Sequence, residues 1–106
     1  MKSEALKGHL DLLLLAVVGA GVAHGYHIAR RLAEASGGAL DLPEGTLYPA
    51  LHRLESKKLL SSSWATVGGR RRRVYGLTPA GKEALAQERL EWGSFAQAVK
   101  SVLDTV

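Results

Sequence analysis

An apolar run near the start of the chain constrains its fold more than any other feature. After a polar lead-in over residues 1–8, the sequence from His9 to Val18 is almost entirely apolar, with four consecutive leucines at positions 12 to 15. A helix this apolar must be covered on more than one side. Because 106 residues can build only one small core, the run is either a central core helix or, in part, a contact for a partner chain.

Composition limits the compartment and the chemistry. The chain has no cysteine, which excludes disulfides and thiolate metal sites and fits the reducing cytoplasm. The apolar stretch from Leu12 to Ala23 is about half as long as the roughly twenty residues of a membrane-spanning helix, so we expect no membrane partner. His24, His27 and His52 have no carboxylate or cysteine placed to complete a metal site. We expect neither a metal nor a cofactor.

The segment from Pro43 to Lys58 has the pattern of a helix with two different sides. Its apolar residues recur at spacings of three and four, which predicts one buried stripe of Leu47, Ala50, Leu51 and Leu54. The opposite side carries hydroxyl, aromatic and cationic groups that suit a polar, charged partner, namely Thr46, Tyr48, Pro49, His52 and Arg53. Proline is tolerated only near a helix start, so we expect the helix to begin between Pro43 and Thr46.

The neighbouring segments predict a winged helix-turn-helix. A helix is expected from residue 24 or 25 to Ala35, and Gly37-Gly38 ends it. After the third helix, Leu59 to Val67 and Arg72 to Thr78 have strand composition, and the intervening Val-Gly-Gly-Arg is a turn signal. Three helices followed by a hairpin give a mainly α fold with a small β-hairpin, of class α+β.

Positive charge is concentrated in the same part of the chain. The net charge is +4, but residues 43–78 contain seven Lys or Arg and two acids, a balance of +5, so the remainder carries −1. Four of these cations are consecutive, Arg70 to Arg73, at the tip of the hairpin. Such a local excess is typical of a surface that binds a polyanion, although a solvated basic surface is the alternative.

The C-terminal segment predicts a long helix with an apolar seam. Thr78 is suited to be its N-cap and Pro79 its first residue. Apolar side chains follow a heptad pattern over about three repeats, through Leu85, Trp92, Phe95, Val99 and Val102, with Glu88 interrupting it. The seam either packs on a second subunit or folds back over the first helix. We therefore divide the chain into a winged-helix domain, 1–78, and a dimerisation helix, 79–106.

Four motifs, in this order and spacing, resemble the short members of the PadR family of transcriptional regulators. They are Gly8-His9-Leu10-Asp11 with the leucine run, His24-Gly25-Tyr26-His27-Ile28, Gly45 to Glu55, and Arg73 to Gly81. The resemblance covers nearly the whole chain. It implies a homodimer formed through the C-terminal and first helices, and repression at a palindromic operator. Lys58 stands where the family usually has the glycine that closes the third helix, so this helix must end differently or run longer.

Taken together, the patterns and the resemblance lead us to three sets of site residues. We expect double-stranded DNA to be bound by Thr46, Tyr48, Pro49, His52, Arg53, Lys57, Gly69, Arg70, Arg71, Arg72 and Arg73. We expect the dimer interface to contain Leu10, Leu14, Leu85, Trp92, Phe95, Val99 and Val102. The resemblance also suggests that Trp92 and its symmetry mate bind a planar aromatic ligand, although the two indoles could instead pack together in the dimer core.

Two other classes of function fit the sequence less well. An enzyme would need a nucleophile with its base, paired carboxylates or a phosphate-binding glycine loop, and the sequence has none of these motifs. A winged-helix module that binds protein rather than DNA is the stronger alternative. The four arginines of the hairpin argue against it, because a protein-binding module has no reason to concentrate positive charge there.

Overall fold

The computed structural model describes residues 3–106. Within this range the chain folds into four helices and a three-stranded antiparallel sheet. In chain order the elements are α1 (Ser3–Gly19), β1 (Ala23–His24), α2 (Gly25–Ala35), α3 (Glu44–Ser56), β2 (Leu60–Val67), β3 (Arg70–Leu77) and α4 (Pro79–Leu103). The α+β winged helix with a long C-terminal helix is confirmed. The division into two domains at residue 78 stays a prediction.

The helix α1 lies at the centre of the core. Its residues Leu14 and Leu15 are fully buried, and the helix packs against α2, α3, α4 and β3. The leucine run is therefore chiefly a core helix of its own chain. The prediction of a polar lead-in over residues 1–8 is wrong from Ser3 onward, because α1 begins there and Leu6 is buried. Met1 and Lys2 lie outside the described residues.

The helix α3 has the predicted start and the predicted buried stripe. It begins at Glu44 with Pro43 as its N-cap residue, and its inward stripe is Leu47, Ala50, Leu51 and Leu54. Pro49 lies in the second turn, as the predicted start of the helix implies. Pro49 has no N–H to donate to the carbonyl of Gly45, which is the usual acceptor four residues earlier.

Lys58 closes α3 in a conformation that normally requires glycine. Its φ is +63°. Its N–H donates to the backbone carbonyl of Glu55 at 2.9 Å, and the N–H of Leu59 donates to the backbone carbonyl of Leu54 at 3.0 Å. These two bonds form a Schellman motif, in which the residue after the C-cap is left-handed. The helix therefore ends where a glycine would end it, and the lysine adopts the strained backbone.

The sheet has the strand order β1-β3-β2. The two-residue turn Gly68-Gly69, with φ of +61° and +79°, joins β2 to β3, as in the type I′ turns that match strand twist. Sequence reasoning placed Arg70 in this turn, but it begins β3. It also missed β1, whose two residues Ala23 and His24 pair with β3 and make the hairpin a three-stranded sheet.

The helix α4 is anchored at its start and exposed beyond Glu88. Thr78 caps it, accepting a hydrogen bond from the N–H of Gly81 at 3.0 Å and donating to the carbonyl of Lys58 at 2.7 Å. The chain approaches so closely here that a Cβ at Gly81 would lie 2.0 Å from the oxygen of Leu59. Within residues 3–106, no helix has both the length and the apolar character needed to cross a membrane.

Candidate nucleic-acid interface

A glycine–tyrosine contact joins α2 to α3. The ring of Tyr48 lies against the backbone of Gly25, where an added Cβ would be 2.5 Å from the ring carbon Cε1. Any larger residue at position 25 would have to displace the ring. Tyr48 is still 44% exposed, so it both packs the two helices together and leaves part of its ring accessible from outside.

The outward face of α3 consists of small and polar residues. Pro49 and His52 are exposed there as predicted, whereas Thr46 is half-buried. Gly45 and Ser56 share the same face, because they lie four residues before Pro49 and four after His52. Sequence reasoning missed both, although helical spacing could have found them. The helix therefore presents little bulk outward and can approach another molecule closely.

Arg53 points toward α1 instead of sharing this face. Its guanidinium donates a hydrogen bond to Asp11 at 2.6 Å, and the ammonium of Lys57 lies 3.9 Å from the same carboxylate. About half of the Arg53 side chain remains exposed. Two predicted DNA-binding cations thus share one acidic partner in the monomer, at the edge of α3.

The four arginines of the hairpin divide between the two faces of the sheet. Strand residues alternate in direction, and Tyr75 is buried against the core. Arg71 and Arg73 therefore point to the face that carries Tyr75 and α3, whereas Arg70 and Arg72 point to the opposite face. The arginine run is not a single patch, because its members alternate between the two faces of the sheet.

Arg73 is tied to α3 by a chain of polar contacts. Its Nε donates to the hydroxyl of Ser62 at 2.8 Å, and that hydroxyl donates to the carboxylate of Glu55. The guanidinium also lies 3.7 Å from the Glu55 carboxylate. These contacts hold the wing, β2 and β3, at a set angle to α3.

His24 caps α2 at the base of the wing. Its Nδ1 accepts a hydrogen bond from the backbone N–H of His27 at 3.4 Å. Desolvation lowers the pKa of His24, and the positive charges of Arg72, His27 and Arg31 lower that pKa further. These effects favour the neutral imidazole that capping needs. Within residues 3–106, no group of three or more His, Cys, Asp or Glu side chains could hold a metal ion.

The apolar seam of α4 is exposed, but the other predicted interface residues are not. Trp92, Phe95, Val99 and Val102 are between 40% and 66% exposed, and their spacing places them along one side of the helix. Three predicted interface residues pack within the chain. Leu10 and Leu14 are buried in its core, and Leu85 packs against that core. We therefore correct the prediction for Leu10 and Leu14, which leave almost no surface for a partner.

A cleft of about 400 Å³ separates the middle of α4 from α1 and α3. Trp92 forms one wall, with the His9 ring edge-on to it at a centroid distance of 4.9 Å and the Phe95 ring at 6.2 Å. The cleft is also lined by Asp11, Glu88, Glu91 and Arg53. Desolvation raises the pKa of Glu88, and the neighbouring carboxylates of Asp11 and Glu91 raise it further. The cleft is therefore both aromatic and acidic.

Comparison with known proteins agrees with this geometry. The sequence model of the transcriptional regulator PadR-like family matches residues 14–87, from the middle of α1 to the first turns of α4. The chain belongs to the PadR family. Members of this family are transcriptional regulators and not enzymes, which confirms both the predicted family and the prediction that the chain is not an enzyme.

Individual relatives and solved structures are similar over half or more of this chain. Transcriptional regulator Rv3488 of Mycobacterium tuberculosis is 53% identical over 55 residues, which are 52% of this chain and 51% of that protein. A PadR family regulator from Eggerthella lenta superposes with a TM-score of 0.84 at 31% identity, over 97% of this chain and 88% of that one. A regulator from Clostridium thermocellum gives a TM-score of 0.84 at 26% identity, over 92% and 96%.

Proposed function

We propose that this PadR family member is a homodimeric, sequence-specific DNA-binding protein that represses transcription at a palindromic operator. The observation that carries the proposal is the meeting of two surfaces. The exposed small and polar face of α3 lies beside the sheet face that presents Arg71 and Arg73. In winged-helix proteins a helix of this kind enters the major groove, while a basic hairpin contacts the adjacent backbone or the minor groove.

The two surfaces have different roles in this proposal. His52 and Pro49, with their small neighbours, would face the base edges, where hydrogen bonds and apolar contacts determine the preferred sequence. The wing arginines would contact phosphate, which contributes affinity but no sequence information. Arg53 and Lys57, at the edge of α3, would reach the backbone beside the groove.

The exposed seam of α4 supports the homodimer. An apolar stripe with the exposure of Phe95 and Val102 is an aggregation hazard in a monomer. Burial against the same stripe of a second copy, about a two-fold axis, removes that hazard. Two copies of α3 would then face half-sites roughly one helical turn of DNA apart, which is why we propose a palindromic operator.

We further propose that a planar aromatic compound, positively charged, releases the protein from DNA. The cleft beside Trp92 supports this class of ligand, because an indole wall favours a flat ring and Asp11, Glu88 and Glu91 favour a cation. Trp92 is 45% exposed in the single chain. A compound that binds there should quench the Trp92 fluorescence and raise the melting temperature, and Trp92→Ala should abolish both effects. If no compound of such a panel quenched the fluorescence or raised the melting temperature, the ligand proposal would be contradicted.

The central test is a fluorescence-anisotropy titration of the full chain against the DNA upstream of its own gene and against mixed-sequence DNA. Each is measured at two salt concentrations. Preference for the upstream DNA, two chains per site and an affinity that falls steeply with salt would support the proposal. A salt-independent response or no DNA binding would instead favour the protein-interaction module. A reporter fused to the upstream region distinguishes repression from activation.

A further inference from the structure

The wing carries an exposed tryptophan, Trp64, on the face that carries Arg71 and Arg73. In the antiparallel register Trp64 lies directly opposite Arg73, and residues opposite each other share a face. Along the same face of β2, Leu60 is buried and Ser62 is half-buried. Trp64, the next residue on that face, is 56% exposed. The indole is therefore at the point where this face leaves the core and enters solvent.

Trp64 makes cation–π contacts with two guanidinium groups. The Cζ atom of Arg71 lies 5.3 Å from the centroid of the indole, and that of Arg73 lies 5.5 Å from it. A guanidinium that stacks on an aromatic face keeps the N–H groups at its edge available for hydrogen bonds. Stacking on Trp64 is therefore compatible with donation of two hydrogen bonds to a phosphate.

The two arginines differ in what else holds them. Arg73 is fixed by Ser62 and by the carboxylate of Glu55, so part of its charge is already neutralised. Arg71 is exposed and lies near the tip of the wing. Without the indole, its long side chain would sample many rotamers, and binding would have to order it.

The space between these groups is lined by residues that suit an anion. A cleft of about 250 Å³ separates the wing from the start of α2 and from α3. Cationic and hydrogen-bonding groups surround it, and its lining residues are His24, Gly25, Tyr48, Trp64, Arg71, Arg72, Arg73 and Tyr75. Among the side chains that the structure describes, no carboxylate lines it, whereas the Trp92 cleft is acidic. The cleft beside the wing therefore favours an anion, and the cleft beside Trp92 disfavours one.

We propose that Trp64 is a positioning residue that holds the guanidinium of Arg71 over this cleft to bind a backbone phosphate of DNA. The inference rests on the proposed DNA-binding function and adds to it one residue that neither sequence pattern nor family resemblance had assigned. Trp64 acts through Arg71 and supplies affinity, so its effect does not depend on the base sequence.

The test uses the full chain and mixed-sequence double-stranded DNA, so that no operator has to be known. Affinity and salt slope are measured for the wild type, for Trp64→Leu, Trp64→Phe, Arg71→Ala and Arg73→Ala, and for Trp64→Leu combined with each of the two arginine substitutions. Loss of an exposed cation–π contact should make Trp64→Leu bind about two- to fivefold more weakly. Its salt slope should fall by up to about one unit, as for Arg71→Ala. Trp64→Phe keeps an aromatic face and should restore most of the affinity.

The decisive comparison is the effect of Trp64→Leu in proteins that lack either Arg71 or Arg73. In Arg71→Ala protein, Trp64→Leu should have no further effect, whereas in Arg73→Ala protein it should weaken binding as it does in the wild type. Equal losses with and without Arg71 would overturn the positioning role and show that the indole contacts DNA itself. An unchanged affinity for Trp64→Leu would also overturn it.

The controls separate the inference from the function on which it rests. Melting temperatures of all variants identify any loss due to a misfolded wing, and Trp64→Phe still tests the role if Trp64→Leu does not fold. If the wild type binds no DNA at any salt concentration, the proposed function and this inference both fail. If the wild type binds with a steep salt slope and Trp64 has no effect, only the inference fails.

Discussion

The guanidinium of Arg53 on α3 lies 2.6 Å from the carboxylate of Asp11 on α1. This contact joins α3 to the central core helix, and Lys57 approaches the same carboxylate at 3.9 Å. Asp11 also lines the cleft beside Trp92. A single carboxylate thus faces the proposed ligand cleft on one side and, on the other, restrains two cations that DNA would otherwise attract.

Asp11→Asn should strengthen binding to DNA. The substitution removes a negative charge beside α3 and frees Arg53 and Lys57, so the salt slope should become steeper by about one unit. The ion pair is half-exposed, so its loss should lower the free energy of unfolding by less than about 1 kcal/mol. Anisotropy against mixed-sequence DNA measures the slope. The matched control is the same substitution in Arg53→Ala protein, where Asp11→Asn should strengthen DNA binding less than it does in the wild type. An equal gain in both proteins would show that Arg53 does not reach DNA.

Lys58→Gly should stabilise the protein. Lys58 has φ of +63° in the Schellman motif that ends α3, and glycine adopts this conformation without the Cβ clash. After allowing for the greater freedom of glycine in the unfolded chain, the gain should be about 0.5–1 kcal/mol. Urea unfolding measures it. Lys58→Ala is the control, since it removes the charge and keeps the strain, and an equal gain in that variant would assign the effect to charge.

Arg71→Ala/Arg72→Ala should weaken binding to operator and mixed-sequence DNA by similar factors. Both residues are on the wing, where phosphate contacts supply affinity without reading bases, and each lost contact should lower the salt slope by about one unit. Because the two side chains point to opposite faces of the sheet, the single variants separate their contributions. Loss of operator binding alone, with mixed-sequence binding unchanged, would show that the wing reads bases.

Val99→Asp should convert the protein to a monomer. Val99 is in the middle of the exposed seam of α4, and a carboxylate buried against a second copy would have no partner to offset its desolvation. Sedimentation equilibrium should show a dimer for the wild type and a monomer for the variant, with loss of operator binding. Gln97→Asp, off the seam on the same helix, is the control. A wild type that stays monomeric at all concentrations would rule out the dimer.

Glu88→Gln should raise the melting temperature at neutral pH. Desolvation, Asp11 and Glu91 raise the pKa of Glu88 in the folded chain, so its ionisation opposes folding above that pKa. The opposition is absent below the ordinary pKa of glutamate, where the carboxyl is protonated in both folded and unfolded chains. The gain in the free energy of unfolding should be less than about 1 kcal/mol. It should vanish as the pH falls from the raised pKa of Glu88 to below the ordinary pKa of glutamate. Melting curves across pH test it, and a gain independent of pH would exclude this cause.

Local patterns were sufficient for the main elements. The buried stripe of α3, its start after Pro43, the Gly68-Gly69 turn and the Thr78 cap each depend on residues close together in sequence, where helix periodicity and turn chemistry act. The strand β1 was missed because two residues carry no periodicity. Their pairing with Val74 and Tyr75 joins segments about fifty residues apart.

For the candidate interface, the sequence by itself determined which segments carry it: a helix with one polar side, a basic hairpin and an apolar C-terminal seam, because these depend on residue type and spacing. Only the tertiary structure decided where each side chain points. It paired Arg53 with Asp11, separated Arg71 from Arg72, placed Trp64 beneath Arg71 and buried Leu14 within its own chain. The physical reason is that ion pairs, cation–π contacts and burial depend on distances between segments far apart in the chain, which no local pattern specifies.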